Sequence, residues 1–224
     1  MNNETLNPAR ASTKVSPAEV VRDYGPFAGS DCINGVSFDG RNVWAATGAA
    51  LVAFDPHSGD PVQTLALPCD AGTAFDGIHL YQIAEARIDK IDPRSGEVVS
   101  SIPAPGAGTD SGMAWAEGSL WVGQYRQRKI HQIDPANGAI LRTIESDRFV
   151  TGVTWVDGEL WHATGEAEQS DIRRIDPETG AVLERLQMPD SISVSGLEAD
   201  GGDLFYCGGG LSGRVHAVKR PRSR

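Results

Sequence analysis

Short runs of alternating hydrophobic and polar residues recur along the chain, separated by glycine, proline and aspartate. An alternation with a period of two residues predicts β-strands that are buried on one face. The phrase Asp-Pro-x-x-Gly follows such a run at residues 55–59, 92–96, 134–138 and 176–180. Aspartate, proline and glycine in this order are typical of a tight turn between two strands. The pattern predicts an all-β protein that repeats one structural unit.

The turn lies inside a longer unit that returns about every 40 residues. Each unit opens on a glycine that leads a first strand, and an acidic-Gly or Gly-Gly hairpin then leads into a second strand that carries an aromatic residue. Glycine in that hairpin supplies the positive φ of a type I′ turn. A third strand runs into Asp-Pro-x-x-Gly, and a fourth strand follows it. The opening glycines are Gly35, Gly72, Gly112, Gly152 and Gly196.

Four antiparallel strands per unit and five units predict a five-bladed β-propeller. The fifth unit ends after its third strand, whereas residues 18–25 read as an unassigned fourth strand before the first unit. We expect this N-terminal strand to complete the last blade and close the ring. The predicted organisation is a flexible tail at 1–16, one propeller domain at 17–219 and a basic tail at 220–224. The aromatic residues are expected to pack between blades.

Composition narrows the classes of partner. The chain carries 20 Lys and Arg against 30 Asp and Glu, so its net charge of −10 argues against nucleic acid. The sequence contains no apolar run of about 20 residues, which argues against a membrane span. Residues 1–16 show no apolar segment of a secretion signal, and three scattered cysteines do not make a disulfide framework. We expect a cytoplasmic protein, with a monomer favoured.

The loops before each first strand and after each second strand are expected to converge at one mouth of the central channel. Asp70 and Asp110 share one register there, two residues before the opening glycine. They are candidates for a general base or for holding a cation, or they bond a neighbouring backbone N–H. His162 follows the aromatic residue of its strand and is a candidate acid or base, or a hydrogen-bonded structural residue.

Other polar residues of these loops are candidate substrate ligands. Tyr125 and Arg126 are adjacent and suit a carboxylate, or they form a solvated loop. Cys32 and Cys69 share a register beside Asp70, which leaves open a divalent, thiophilic metal in the channel or two inert thiols. No other cofactor is expected, and no Ser-His-Asp order or phosphate-binding loop occurs. The candidate substrate-binding residues are Asn34, Tyr125, Arg126, Thr151, Glu166 and Ser195.

The stretch FVTGVTWVDGELWHATGEAEQSDIRRIDPETGAVLERL at residues 149–186 resembles the repeat of the glutaminyl cyclase (glutamine cyclotransferase) family. The family is a five-bladed propeller, so the resemblance implies this fold and a pocket at the channel mouth. The resemblance is closest in the fourth unit and the start of the fifth. Three family positions differ: Thr151 replaces a glutamine, and Ser195 and His162 each replace a glutamate.

Cyclisation of an N-terminal glutamine needs a proton shuttle between the amine and the leaving ammonia. Because the family glutamates are replaced, the reaction type stays open among cyclotransfer, elimination by a lyase and hydrolysis. The first hypothesis is a small-molecule enzyme with His162, Asp70 and Asp110 as proton carriers and Arg126 orienting an anionic group. The alternatives are a non-catalytic ligand-binding or scaffolding propeller and a metal-dependent site at Cys32, Cys69 and Asp70.

Overall fold

A computed structural model describes residues 13–222, and these residues form five antiparallel sheets. The innermost strand of each sheet contacts the innermost strands of the two neighbouring sheets, so the sheets close into a ring. Each sheet is one blade, and this part of the chain contains no helix. The prediction of an all-β, five-bladed propeller is confirmed.

The strands run outward from the axis in each blade. Blade 1 holds β3 (Gly35–Phe38), β4 (Val43–Ala46), β5 (Gly48–Phe54) and β6 (Pro61–Cys69), and blade 2 holds β7 (Thr73–Phe75), β8 (Leu80–Ala84), β9 (Arg87–Ile91) and β10 (Val98–Pro103). Blade 3 holds β11 (Asp110–Ala116), β12 (Ser119–Gln124), β13 (Lys129–Ile133) and β14 (Ile140–Glu145). Blade 4 holds β15 (Val150–Val156), β16 (Glu159–Glu166), β17 (Gln169–Ile175), β18 (Val182–Gln187) and β1 (Lys14–Pro17). Blade 5 holds β19 (Gly196–Ala199), β20 (Leu204–Gly208), β21 (Val215–Lys219) and β2 (Val20–Tyr24).

The first and last parts of the chain close the ring together. Strand β2 pairs antiparallel with β21 and supplies the fourth strand of blade 5, as the sequence predicts. Strand β1 pairs parallel with β18, so residues 14–16 are a strand of blade 4 although the sequence analysis assigns them to a tail. Arg220 also departs from its assigned tail, since it is buried and its guanidinium contacts Asp157 at 2.6 Å. Tail residues 1–12 and 223–224 lie outside the described part.

The four Asp-Pro-x-x-Gly turns share one geometry. In each turn the aspartate carboxylate accepts the backbone N–H two residues later, at 2.7 or 2.8 Å. The glycine N–H also donates to the backbone carbonyl of the aspartate, and glycine takes a φ between 73° and 88°. Local chemistry therefore sets the connection between the third and fourth strands in blades 1 to 4.

The hairpins between the first and second strands fall into two types. In blades 3 and 4 two residues make the turn, and both Glu117–Gly118 and Asp157–Gly158 have positive φ, as a type I′ turn requires. In the other three blades the loop is longer, and an aspartate side chain accepts two backbone N–H groups instead. Asp39, for example, accepts those of Arg41 and Asn42 at 2.8 and 2.6 Å. The expectation of type I′ turns in all five blades is therefore wrong for blades 1, 2 and 5.

Five hydrophobic clusters fill the five interfaces between neighbouring blades. Aromatic rings contact one another across three of these interfaces at centroid distances between 5.1 and 5.4 Å. Two pairs are stacked and one is tilted: Tyr81 with Trp115 and Trp121 with Trp155 are stacked, and Trp161 with Phe205 is tilted. The aromatic residues of the second strands are nearly inaccessible. Their predicted role in packing between blades is confirmed.

The opening glycines of the five first strands meet at the axis of the ring. A Cβ atom built on Gly112 would lie 2.4 Å from the Cα of Gly152, and one on Gly35 would lie 2.5 Å from the carbonyl oxygen of Ala71. The other three positions are equally crowded by the backbone of the next blade. Because backbone atoms cannot yield as a flexible side chain does, only glycine fits at these five positions.

We expect Gly112→Ala to destabilise the folded protein by at least about 3 kcal/mol, because the added methyl group would overlap the neighbouring backbone. The measurement is the urea midpoint of unfolding together with its slope. The control is Gly118→Ala, where open space surrounds the site and φ is +73°. There the backbone strain alone costs about 1 to 2 kcal/mol. Equal losses in the two variants would contradict the crowding at the axis.

Candidate functional site

A cavity of about 460 Å³ lies at one mouth of the channel, on the side of the opening glycines from which the first strands enter. Its floor comes from the one or two residues that precede each glycine, and one wall comes from the hairpin between β16 and β17. A volume of this size suits a small molecule. The floor residues are Asn34, Asp70, Ala71, Asp110, Ser111, Thr151, Val194 and Ser195.

The described lining of this cavity is acidic. Its charged residues are Asp70, Asp110, Glu166 and Glu168, and the lining contains no lysine, arginine or histidine. Glu166 is compensated from outside the cavity by Arg128, whose guanidinium nitrogen lies 2.6 Å from the carboxylate. The other three carboxylates give the cavity a negative potential, which favours a cationic ligand such as an amine.

Asp110 is held by a backbone hydrogen bond. Both of its oxygens accept the backbone N–H of Gly106, at 2.9 and 3.0 Å. Burial raises the pKa of Asp110 above its ordinary value, although the Gly106 N–H and the amide of Gln124 oppose the shift. A half-buried carboxylate with a raised pKa is a stronger base than an ordinary aspartate, which suits it to accept and return a proton.

Asp70 occupies the same register in blade 2 but is more exposed. Its Oδ2 accepts the backbone N–H of Glu85 at 2.9 Å. Asp70 and Asp110 therefore both make the backbone hydrogen bond that was one of the two interpretations of this register. Both also line the cavity, so the bond does not remove them from contact with a ligand.

His162 lies away from the cavity that the sequence analysis assigned it to. It is 1% exposed and pairs across the sheet with Val153 and Arg173. Trp161 and Ala163 pack towards blade 5, so the strand alternation turns His162 to the opposite face, where Leu160 packs towards blade 3. It lines a separate side cavity of about 390 Å³. Burial, and secondarily the charge of Arg173, lower the pKa of His162 to about 4.

Five of the six predicted substrate-binding residues line the channel-mouth cavity: Asn34, Tyr125, Thr151, Glu166 and Ser195. The sixth, Arg126, is exposed and is not part of the lining. The Tyr125 ring packs against Phe149 at a centroid distance of 4.8 Å and so has a fixed position at the rim.

The hydroxyl groups of the floor differ in what they bond. Ser195 Oγ donates to the carbonyl of Ile33 and accepts the N–H of Gly210 at 2.9 Å. Thr151 Oγ1 is buried and has no hydrogen-bond partner within the described residues. An unpartnered buried hydroxyl costs free energy, so this oxygen has unused hydrogen-bonding capacity next to the floor of the cavity.

The two predicted thiol ligands bond to the backbone of blade 1. Cys69 is fully buried, its Sγ lies 3.0 Å from the carbonyl of Ala50, and burial raises its pKa. Cys32 Sγ lies 3.9 Å from the carbonyl of Thr47. Between residues 13 and 222, no group of three or more His, Cys, Asp and Glu side chains is arranged to hold a metal ion. The geometry does not favour the metal alternative at Cys32, Cys69 and Asp70.

Sequence reasoning missed Glu198, an acid on the first strand of blade 5, on the far side of the glycines. Its Oε1 accepts the hydroxyl of Thr154 at 2.8 Å and the N–H of Ala199 at 3.0 Å. Desolvation raises the pKa of Glu198 to about 8, so the carboxyl is protonated at neutral pH. The sequence signal was available, because the same register in the other blades holds only small residues: Ser37, Ala74, Ala114 and Thr154.

Comparisons with known proteins agree with this architecture. Residues 142–208 match the family model for glutamine cyclotransferase. The crystal structure of glutaminyl cyclase from Myxococcus xanthus superposes with a TM-score of 0.77 at 18% identity, over 92% of this chain and 97% of that one. No curated protein matches.

Two further solved structures are similar in fold. A protein of unknown function from Bacteroides caccae gives a TM-score of 0.56 at 16% identity, over 81% of this chain and 71% of that one. A chain of the mitotic checkpoint complex gives 0.57 at 12% identity, over 99% and 97% of the two chains. At these identities the likeness concerns the fold alone.

The molecule is thus a five-bladed β-propeller with an acidic cavity at its channel mouth. Within that class it resembles the glutamine cyclotransferase family from β14 to the end of β20, which confirms the resemblance expected from the sequence. Across residues 13–222, the structure shows no helix long and apolar enough to cross a membrane.

We expect the pKa of Glu198 to make stability depend on pH. The folded protein keeps the proton up to about pH 8, whereas the unfolded chain releases it near its ordinary value of 4.5. The contribution of Glu198 to the free energy of unfolding is therefore fully present below pH 4.5 and is lost as pH rises towards 8. Glu198→Gln, a neutral isostere, should remove this loss of stability. At pH 8 its free energy of unfolding should exceed that of the parent by more than about 1 kcal/mol.

The measurement is the free energy of unfolding in urea at pH 4.5, 6 and 8 for both proteins. Glu97→Gln is the matched control, because Glu97 is exposed and its substitution should leave the pH dependence of the parent unchanged. A parallel pH dependence of the parent and Glu198→Gln would show that Glu198 ionises normally in the folded protein.

Proposed function

We propose that the chain is a small-molecule enzyme of the cyclotransferase type, which performs acid–base chemistry on an amine-bearing substrate at the channel mouth. The observation that carries this proposal is Asp110, a half-buried carboxylate in the cavity lining whose pKa is raised by burial. The match of residues 142–208 to the glutamine cyclotransferase family supports the reaction class.

The acidic lining supports the choice of an amine. Asp70 and Glu168 would attract the ammonium form of the substrate, and the unpartnered hydroxyl of Thr151 would bind its polar part. In cyclisation of an N-terminal glutamine, the ammonium group first loses one proton to water, the neutral amine nitrogen then attacks the side-chain amide carbon, and the bond from that carbon to the amide nitrogen breaks so that ammonia leaves. Asp110 would accept the proton that the amine loses and return it to the leaving ammonia, so one carboxyl serves both steps.

This proposal moves the proton transfer from blade 4 to blade 3. The family resemblance places its polar positions at Thr151, His162 and Ser195, and none of these is a carboxylate here. His162 is neutral down to about pH 4 and is buried away from the cavity. It therefore has no part in the proposed proton transfer. Cytoplasmic location and a monomeric state remain predictions from the sequence.

A ligand-binding propeller without chemistry is the second candidate. The observation in its favour is that Asp70 and Asp110 each accept a backbone N–H, which is sufficient reason for an aspartate at this register. Both candidates require the cavity to bind an amine, and they differ in whether the bound amine reacts.

We expect the protein to release ammonia from a glutaminyl dipeptide, and we expect Asp110→Asn to lower kcat at least about 100-fold. The asparagine keeps the size of the side chain but cannot accept the proton. In the parent, the rate should rise with pH through the raised pKa of Asp110, because only the ionised carboxylate acts as base. The measurement is ammonia release against pH, and the exposed Glu97→Gln variant serves as the control.

Calorimetric titration with the same dipeptide separates the candidates. Binding without ammonia release would favour the non-catalytic propeller. Release that survives Asp110→Asn would remove Asp110 from the mechanism. If the dipeptide neither binds nor releases ammonia, the proposal of an amine-binding cavity is contradicted.

A further inference from the structure

A second cavity, of about 410 Å³, lies beside blade 5 and outside the proposed channel-mouth site. Its lining brings together Asp23 of strand β2, Ser212 of the loop between β20 and β21, and His216 of strand β21. A carboxylate, a hydroxyl and an imidazole at one cavity are the three groups of a nucleophilic hydrolytic site. They come from opposite parts of the chain.

Asp23 and His216 form a fixed pair. They lie directly opposite each other across the β2–β21 ladder, and Asp23 Oδ1 is 2.7 Å from His216 Nδ1. The imidazole is buried, whereas about half of the Asp23 side chain is exposed. A carboxylate that accepts from Nδ1 holds the proton on that nitrogen, so Nε2 is the acceptor.

Gly209 leaves open the space between His216 and Ser212. A Cβ atom built on Gly209 would lie 2.3 Å from Ser212 Oγ and 2.7 Å from His216 Nε2. The hydroxyl and the imidazole nitrogen therefore face the same gap and are at most about 5 Å apart. Hydrogen bonds between catalytic groups are often long before a substrate binds, so this separation is compatible with proton transfer. Ser212 is exposed, so a substrate can reach its oxygen.

We propose that Asp23, His216 and Ser212 form a nucleophilic site that hydrolyses small esters. Ser212 Oγ bonds to the acyl carbon while its proton passes to His216 Nε2. The carbon–oxygen bond to the alcohol breaks, and the alcohol leaves with that proton. Water then attacks the acyl carbon, gives a proton to Nε2 and releases the acid, and Ser212 regains its proton.

Charge around the cavity supports the chemistry. Arg214 lines the cavity, and its guanidinium is fixed by a hydrogen bond of 2.8 Å to the carbonyl of Gly25. A fixed positive charge stabilises the oxyanion that develops when Ser212 attacks. The site does not depend on the proposed cyclotransferase function, since Asp110 and Asp70 are outside its lining.

The test is hydrolysis of p-nitrophenyl acetate by the full chain, followed as release of p-nitrophenolate. We expect Ser212→Ala to lower the rate at least about 100-fold and His216→Gln to do the same. Ser95→Ala is the matched control, because Ser95 Oγ and Ser212 Oγ each accept the N–H two residues later at 3.2 Å. The control therefore removes an equivalent turn bond and should retain the parent rate.

Gly209→Ala tests the geometry without removing a reacting group. Its methyl group would fill the gap between Ser212 Oγ and His216 Nε2, so hydrolysis should fall about as far as in Ser212→Ala. Urea midpoints of all variants identify any that fail to fold. In the parent, mass spectrometry of the acid-quenched reaction should find the acetyl group on Ser212.

The proposal is overturned by a parent rate no higher than that of buffer. It is also overturned by a folded Ser212→Ala variant with the parent rate, or by an acetyl group found only on another residue.

Discussion

The close approach of five backbone segments at the axis determines the rest of the molecule. Where the first strands meet, each opening glycine faces the backbone of the next blade at distances that exclude a side chain. This contact fixes how near the blades come to one another, and it divides the axis into two regions. Residues before the glycines line the mouth, and Glu198 lies beyond them.

Much of the fold followed from short-range chemistry in the sequence. The Asp-Pro-x-x-Gly turns are local, and the missing fourth strand of the last unit left residues 18–25 as its natural complement. Side-chain direction was harder to predict. His162 and Trp161 are neighbours on one strand, and a change of one residue in phase decides between two faces. The pattern could not settle that phase because blade 4 buries both faces of β16.

Departures from the repeat were the better guide to function. Asp110 stands at the register where blades 1, 4 and 5 hold Ile33, Val150 and Val194, and Glu198 stands where the other blades hold small residues. In both cases a partly buried carboxyl occupies a register at which at least three other blades hold no acid. Burial raises the pKa of each carboxyl above its ordinary value, and for Glu198 the pKa reaches about 8.

The pair of Asp23 and His216 shows why order along the chain hid one site. The two residues are separated by nearly the whole sequence, and they meet only because β2 pairs with β21 to close the ring. The order of Ser, His and Asp along the chain does not reveal groups that meet only when the ring closes. The strand pairing that completes blade 5 also builds its base and its orienting carboxylate. Closure of the ring and assembly of the inferred esterase site are therefore one structural event.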